Sequence, residues 1–204
     1  MQLKMLNIID LAVDFERAVV MSTEVIKRDG VVLIPTETVY GLSCRFNSPA
    51  AVKRVSEIKL RKMGKKFIVL ISSRSQLGDL GLVMNRAADI LADEFWPGPL
   101  TMILPDIRGN TLAVRYSSSV FINRLIDESG PIISTSANLS GQSSPALFSE
   151  IDKELLNRVD LAVNGGTLPG VPSTVLDVLQ DSPRILRQGT IGFDDIISVL
   201  KKSD

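Results

Sequence analysis

The 204-residue chain contains no histidine and only one cysteine, Cys44. Without histidine there can be no Ser-His-Asp or Cys-His pair and no histidine general base. A single cysteine excludes an internal disulfide, and with no histidine beside it no ligand set for structural zinc remains. We expect Cys44 to be a small buried apolar residue. An enzyme of this composition would work by positioning and charge neutralisation, and we assign no catalytic residue.

The chain also lacks net charge, long apolar runs and the common nucleotide-binding glycine patterns. Its 23 basic and 23 acidic residues cancel, while 45% hydrophobic content predicts a sizeable core. No run is long enough to span a bilayer and the N-terminus has no cleavage signature, so we expect a cytoplasmic protein without membrane contact. Neither GxxxxGK[ST] nor GxGxxG occurs, which excludes a P-loop and a dinucleotide-binding fingerprint.

The order of periodic and apolar segments predicts an α/β fold: a single domain around a mixed, twisted, open sheet with flanking helices. No repeat or linker divides the chain, so we expect one domain over 1–204, with its core at about 15–190 and no extra C-terminal domain. The predicted helices are 12–29, 48–58, 85–95, 119–129, 148–158 and 193–201, and the predicted strands are 31–35, 67–72, 100–104, 111–115, 131–134, 161–163, 173–179 and 184–189.

Polar loops follow several of the predicted strands. PTETVYGL at 35–42 offers the hydroxyls of Thr36 and Thr38, and STSANLSG at 134–141 offers a run of small hydroxyl and amide side chains. Each loop alone also fits an ordinary turn or helix cap. In open α/β sheets, however, ligands bind where loops converge at strand ends. We therefore expect these loops to share one pocket for a small polar ligand.

Two arginines lie in predicted strands that are otherwise apolar, Arg115 in TLAVRYS and Arg187 in ILRQG. A lone arginine at a strand end can extend its charged head into water while its stem packs against apolar surface. It can also direct a planar guanidinium at a carboxylate or a phosphate. The sequence leaves both interpretations open for each arginine.

A basic segment, EIKLRKMGKKF at 57–67, places five cations within eight positions. It could be a solvated surface run, a nucleic-acid patch or a pocket for a small polyanion. Lys59 and Arg61 are two residues apart, so in an extended segment they would project to the same side. A lysine ammonium beside a planar arginine guanidinium is a suitable pair for binding a polyphosphate. The five cations are Lys59, Arg61, Lys62, Lys65 and Lys66.

Seven segments in order resemble the YrdC-like family, the threonylcarbamoyl-AMP synthases, and the similarity covers roughly residues 15–190. The chain looks like the short bacterial type of this family. The segments are PTETVYGL (35–42), KLR (59–61), FWPGPLT (95–101), AVR (113–115), STSANLSG (134–141), STVLD (173–177) and LRQG (186–189).

The resemblance implies a nucleotidyltransferase that makes L-threonylcarbamoyladenylate from L-threonine, bicarbonate and ATP and releases pyrophosphate. It further implies that a tRNA threonylcarbamoyl-transferase complex receives the product and modifies adenosine 37 of tRNAs that read codons beginning with A. Mg²⁺ is expected on the ATP phosphates, and no protein metal site is expected.

Site residues carried over from the resemblance fall into two sets. The residues expected to bind ATP are Lys59, Arg61, Lys65, Thr111, Asn138 and Arg187. The residues expected to bind L-threonine or its carbamate are Thr38, Arg115, Ser136 and Ser173.

Three positions depart from the family pattern. Lys62 stands where many relatives have proline, Leu70 where many have histidine, and Ala146 where some have threonine. The first alternative function is a module that binds double-stranded RNA or tRNA. Against it stand the zero net charge, a single tryptophan and two tyrosines, and no RNA-binding motif. The second alternative is a diverged paralogue without the activity, although the chain keeps the K-x-R and S-x-N residues.

Overall fold

The computed structural model of the chain describes residues 7–60, 67–139, 141–180 and 182–202. Within these ranges ten strands and seven α-helices form a single domain. The strands are β1 (Asn7–Asp10), β2 (Val32–Pro35), β3 (Tyr40–Arg45), β4 (Ile68–Ile71), β5 (Leu100–Pro105), β6 (Thr111–Tyr116), β7 (Ile132–Ser136), β8 (Leu161–Asn164), β9 (Thr174–Asp177) and β10 (Arg184–Arg187). The helices are α1 (Phe15–Lys27), α2 (Pro49–Ile58), α3 (Gln76–Asp79), α4 (Arg86–Phe95), α5 (Val120–Ser129), α6 (Lys153–Arg158) and α7 (Phe193–Lys202).

All ten strands belong to one mixed sheet with the order β1-β8-β2-β3-β7-β4-β6-β5-β9-β10. The pairs β1–β8, β8–β2, β4–β6 and β5–β9 are parallel, and the other five pairs are antiparallel. The predicted α/β class and mixed open sheet are confirmed. No helix in the described part of the chain has the length and apolar character needed to cross a bilayer.

Two helices begin where the sequence places them, at residues whose side chains cap the first turn. Ser48 accepts a hydrogen bond from Ala51 N at the start of α2, with Pro49 in the first turn. The Asn85 side chain caps α4 through Ala88 N in the same way. These side chains satisfy backbone N–H groups that have no partner within the helix. The two predicted boundaries are therefore confirmed.

The predicted secondary structure was incomplete in several places. The expected helix at 148–158 is a 3₁₀ turn at Phe148–Glu150 followed by α6, because Ile151 is extended and Asp152 caps a new helix. Strand β3, like β1 and α3, was not predicted, and its first residues lie in the segment PTETVYGL, which was expected to be a loop. Glycine and serine alternate there with buried Tyr40, Leu42 and Cys44, and such small residues hide the period of two.

The two faces of the sheet are covered unequally. One face is covered by two apolar clusters, which include residues of α2, α4, α6 and α7. The other face carries a single large cluster beneath α1 and α5, and this cluster reaches Leu70 and Ile132 near the middle of the sheet. Beyond it, the same face carries small and polar residues on β3, β7 and β6, while β4, β5 and β9 add the apolar residues Ile68, Ile103 and Val175. The site lies on the half of this face that no helix in the described part of the chain covers.

Candidate functional site

A cavity of about 240 Å³ occupies the uncovered half of the sheet. Gly41, Ala113 and Ser134 are among the residues that line it, and their small size leaves space above the sheet. A Cβ atom on Gly41 would lie 2.5 Å from Ser134 Oγ, so glycine allows these neighbouring strands to present a concave surface. We call this space the first cavity. Its polar lining includes Thr36, Thr38, Arg115, Ser134, Thr135, Ser136, Ser173 and Arg187.

The turn after β2 is organised by the hydroxyl of Thr36. Thr36 Oγ1 donates to Val39 O over 2.7 Å and accepts from the backbone N–H of Thr38. Because Thr36 donates its only hydroxyl proton to Val39 O, the hydroxyl of Thr38 must be the donor in the 2.9 Å contact between Thr38 Oγ1 and Thr36 Oγ1. Thr38 Oγ1 then accepts from Arg115 Nη1 at 3.3 Å. This relay holds Thr38 as an acceptor beside the guanidinium.

Arg115 lies on β6 with its side chain only 5% exposed. Its Nε lies 3.2 Å from Glu37 Oε1, at ion-pair distance although the two atoms do not form an aligned hydrogen bond. Glu37 Oε2 accepts a 2.5 Å hydrogen bond from Ser117 Oγ. Burial lowers the pKa of Arg115, and the Glu37 carboxylate opposes that shift. The guanidinium remains charged because its pKa starts far above neutrality.

A second guanidinium, that of Arg187 on β10, also lines the first cavity. It donates from Nε and Nη2 to Ser173 O, at 3.1 and 2.9 Å, and from Nη2 to Ser173 Oγ at 3.0 Å. Thr101 Oγ1 lies 2.8 Å from the same serine hydroxyl. A Cβ on Gly189 would lie 2.2 Å from Pro172 O, so glycine lets the chain after β10 pack closely against this segment.

The charges around the first cavity favour an anion. Arg187 is exposed as a residue, but its guanidinium packs on Ser173, and this partial burial lowers its pKa. The positive charge of Arg115 lowers the pKa of Arg187 further, so the two cations feel each other. Glu37 balances only one of them. A carboxylate or phosphate placed between the two guanidiniums would relieve their repulsion.

Lys59 ends α2 and points its ammonium at the end of β7. Its side chain is buried, and Nζ donates to Ser136 O at 2.5 Å, Ser136 Oγ at 3.4 Å and Asn138 Oδ1 at 3.2 Å. The prediction of an extended segment at this point was wrong. Lys59 has helical dihedral angles and Leu60 has a φ of 50°, so strand-like alternation does not apply here.

Asn138 lies between Lys59 and a second, more open cavity of about 550 Å³. Its Nδ2 donates to Leu139 O and Gln142 O, which fixes the amide so that Oδ1 accepts from Lys59. Glu150 and Asp152 also line this second cavity. Lys59 therefore contacts Ser136 of the first cavity and Asn138 of the second.

The structure brings together most of the residues that the sequence singled out. Four of them line the first cavity with Thr38, and Lys59 and Asn138 adjoin them. Thr111 shares a strand face with Arg115 but lies four residues away, about 13 Å along β6, and does not line the first cavity. Arg61 and Lys65 lie outside the described residues. The four are Arg115, Ser136, Ser173 and Arg187.

Three residues that complete the polar network were not predicted: Glu37, Thr101 and Ser117. Each lies in or next to a motif already singled out, but glutamate, threonine and serine are common residues. Their presence in the sequence therefore does not indicate a role in the site. A buried carboxylate beside an arginine is recognisable only after β2 and β6 are placed in the same sheet. Leu70, at the family's histidine position, is fully buried in the cluster beneath α1 and α5. Among the described residues no group of three or more acidic or cysteine side chains could hold a metal.

Comparison with known proteins places the chain among relatives of this architecture. A model of the Sua5/YciO/YrdC family, described as "Telomere recombination", matches residues 24–189. The chain is 38% identical over 194 residues to a threonylcarbamoyl-AMP synthase of Bacillus subtilis, covering 89% of this chain and 56% of the relative. It is 37% identical over 186 residues to the Pyrococcus abyssi protein of the same name, covering 86% and 55%.

Solved structures agree with the sequence matches. Pyrococcus abyssi Sua5 complexed with L-threonine superimposes with a TM-score of 0.88 and 31% sequence identity. The match covers 97% of this chain and 61% of that structure. The chain thus spans little more than half the length of the two curated relatives.

Proposed function

Because this chain belongs to the Sua5/YciO/YrdC family, we propose that it synthesises L-threonylcarbamoyladenylate from L-threonine, bicarbonate and ATP. The reaction class is nucleotidyl transfer, with pyrophosphate as the leaving group. The observation that carries the proposal is the pair of guanidiniums, Arg115 and Arg187, that faces one amino-acid-sized cavity with a single balancing carboxylate. Such a site suits an anion that also carries hydrogen-bonding groups.

The chemistry needs no nucleophile from the protein. The amino group of threonine and bicarbonate form a carbamate, with loss of water and a proton. A carbamate oxygen then attacks the α-phosphorus of ATP, and the bond to the bridging oxygen breaks as pyrophosphate leaves. Transfer at phosphorus depends on alignment and charge neutralisation, which a chain without histidine can supply.

We assign the amino-acid end of the substrate to the first cavity. Arg115 would bind the threonine carboxylate or its carbamate, because a charged guanidinium pairs best with an oxyanion. Thr38 has used its proton in the relay to Thr36, so it would accept from a ligand N–H group. Ser136 and Ser173 would contact the same ligand from the neighbouring walls.

We assign the nucleotide to the side of Lys59 and the second cavity. Lys59 and Asn138 are already in contact there, and Arg187 lines the first cavity from β10. Arg61, Lys65 and Thr111 would complete the phosphate and nucleotide contacts. Mg²⁺ would arrive with ATP as part of the substrate, bound by phosphates and water. The proposed roles describe binding and alignment, and no residue acts as an acid or base.

We further propose that the product passes to a tRNA threonylcarbamoyl-transferase complex in the cytoplasm, which modifies adenosine 37 of tRNAs reading codons that begin with A. An adenylate of this kind is an activated acyl donor and needs an acceptor enzyme to use it.

The test is pyrophosphate release with purified protein, MgATP, bicarbonate and labelled L-threonine, followed by detection of the labelled adenylate. We expect release to require threonine and bicarbonate together. Release that continues unchanged without threonine would contradict the proposal. Tight binding of duplex RNA at physiological salt without ATP turnover would favour the RNA-binding alternative, whereas neither activity would favour a diverged paralogue.

A further inference from the structure

Glu37 is a nearly buried acid, and the proposed reaction gives it no contact with substrate. Its side chain is only 12% exposed, although it lies in a turn beside the first cavity. It does not line that cavity, so its carboxylate is directed at the protein and not at a ligand. We propose that Glu37 is a positioning residue, which together with Ser117 holds the Arg115 guanidinium in the orientation that binds the substrate carboxylate.

Two contacts define the orientation of the guanidinium. Nη1 donates to Thr38 Oγ1 at 3.3 Å, which limits rotation of the planar group about the bond between Cδ and Nε. Nε faces Glu37 Oε1 at 3.2 Å, which limits sideways displacement. The hydroxyl contact is long and involves a neutral acceptor, whereas the carboxylate attracts the guanidinium as a nearly buried ion pair, so the carboxylate supplies the stronger restraint. With Nε and Nη1 engaged by the protein, Nη2 is left to bind a ligand.

Glu37 is itself held from its other oxygen. Ser117 Oγ donates to Oε2 at 2.5 Å and accepts from the backbone N–H of Ser119 at 3.2 Å. Ser117 is completely buried, and Ser119 caps α5, so this chain of hydrogen bonds is anchored in a regular element. The carboxylate therefore cannot swing away from Arg115 without breaking a hydrogen bond. This is the arrangement expected of a group that supports a ligand-binding side chain.

Electrostatics give the same role to Glu37. Arg187 lies close enough for its pKa to be lowered by the Arg115 charge. Without Glu37 the repulsion between the two guanidiniums would push Arg115 away from the first cavity. No other acid in the described part of the chain forms an ion pair with Arg115. Glu37→Gln keeps the shape of the side chain and removes only the charge, so it isolates this effect.

The proposal predicts a change in ligand selectivity that general destabilisation would not produce. L-threonine and L-threoninol differ in that a hydroxymethyl group replaces the carboxylate. We expect the wild-type protein to prefer L-threonine by about tenfold or more, the worth of one charge-assisted contact. In Glu37→Gln the affinity for L-threonine should fall toward that for L-threoninol, while the affinity for L-threoninol stays within about twofold. Ser117→Ala should act in the same direction with a smaller change.

Glu16→Gln is the matched control, because Glu16 pairs with Arg124 at the same distance of 3.2 Å but on an exposed surface. It should leave the ratio of the two affinities unchanged. An unchanged ratio in both Glu37→Gln and Ser117→Ala would overturn the proposal. Should Glu37→Gln fail to fold, Ser117→Ala alone decides the matter by the same ratio.

The identity of the ligand rests on the proposed function, so a second measurement uses no ligand. NMR relaxation of the Arg115 Nε–H group, assigned by its loss in Arg115→Lys, reports how rigidly the guanidinium is held. We expect an ordered group in the wild type and in Glu16→Gln, and a more mobile one in Glu37→Gln. Equal order in all three would refute the positioning role. An ordered group in a protein that does not bind L-threonine would contradict only the proposed function.

Discussion

Replacing Lys59 by methionine removes an ammonium and leaves an apolar chain of similar length. In the structure this ammonium is buried and donates to Ser136 O, Ser136 Oγ and Asn138 Oδ1, at 2.5, 3.4 and 3.2 Å. In the variant these oxygens would lose the donor. Because Lys59 ends α2, the substitution also removes a cation from the negative end of the helix dipole.

The size of the effect follows from these contacts. A hydrogen bond to a charged group contributes about 1.5–3 kcal/mol, so we expect Lys59→Met to lower the free energy of unfolding by about that amount. With a urea m-value of about 3 kcal/mol/M for a chain of this length, the unfolding midpoint should fall by about 0.5–1 M. The loss of charge should also reduce ATP-dependent pyrophosphate release by roughly ten- to a hundredfold.

Lys53→Met provides the control on the same helix. Lys53 pairs with Glu57 at 3.8 Å, and both side chains are mostly exposed, at 76% and 57%. Such a pair contributes about 0.3–0.5 kcal/mol, so its midpoint should move by no more than about 0.2 M and pyrophosphate release should not change. Urea unfolding followed by circular dichroism measures both variants. Equal midpoints for Lys59→Met and Lys53→Met would refute the reasoning about the buried ammonium.

Three further predictions concern other parts of the molecule. Burial, with a smaller contribution from Asp29, raises the pKa of the Cys44 thiol to about 12, so native protein should not react with Ellman's reagent at pH 8 until it unfolds. Thr23→Val should stabilise the protein by about 1 kcal/mol in urea unfolding, because Thr23 Oγ1 is buried without a partner among the described residues. Thr101→Val should instead destabilise the protein in the same assay, because it removes the hydroxyl that contacts Ser173. Turnover should favour L-threonine over L-valine, because a site that hydrogen-bonds a hydroxyl is left unpaired by the isostere; equal turnover would contradict the assigned contacts.

The fold class was predictable because local signals and tertiary packing agree in most of the chain. The caps at Ser48 and Asn85 are contained in a few consecutive residues, and they mark helix starts whatever surrounds them. The failures occurred where a local pattern was ambiguous. Strand β3 begins within a motif that also fits a loop, and its glycine and its single serine are recognisable as strand residues only when β2 and β7 pair on either side.

The candidate site was predictable as a set of residues but not as a geometry. Motif order alone singled out Arg115, Arg187, Ser136 and Ser173, and all four line the first cavity. The sequence predicted a helix that ends at residue 58, but it could not show the direction in which the chain continues from there. The left-handed φ of Leu60 changes the direction of the chain there. Lys59 has helical dihedral angles, so the alternation of side chains expected for a strand gave the wrong direction for its side chain.

By itself the sequence determined the alternation of strands and helices and the positions of the short polar motifs, because these depend on residue type and on near neighbours. It also excluded histidine chemistry and an internal disulfide. Only the tertiary structure decided which half of a sheet face stays open, since that depends on where α1 and α5 pack. It also decided that Glu37, in the turn after β2, meets Arg115 on β6, 78 positions away in the chain. Strands β2 and β6 are adjacent neither in sequence nor in the sheet. Interactions at that separation depend on the pairing of strands, which no local pattern encodes.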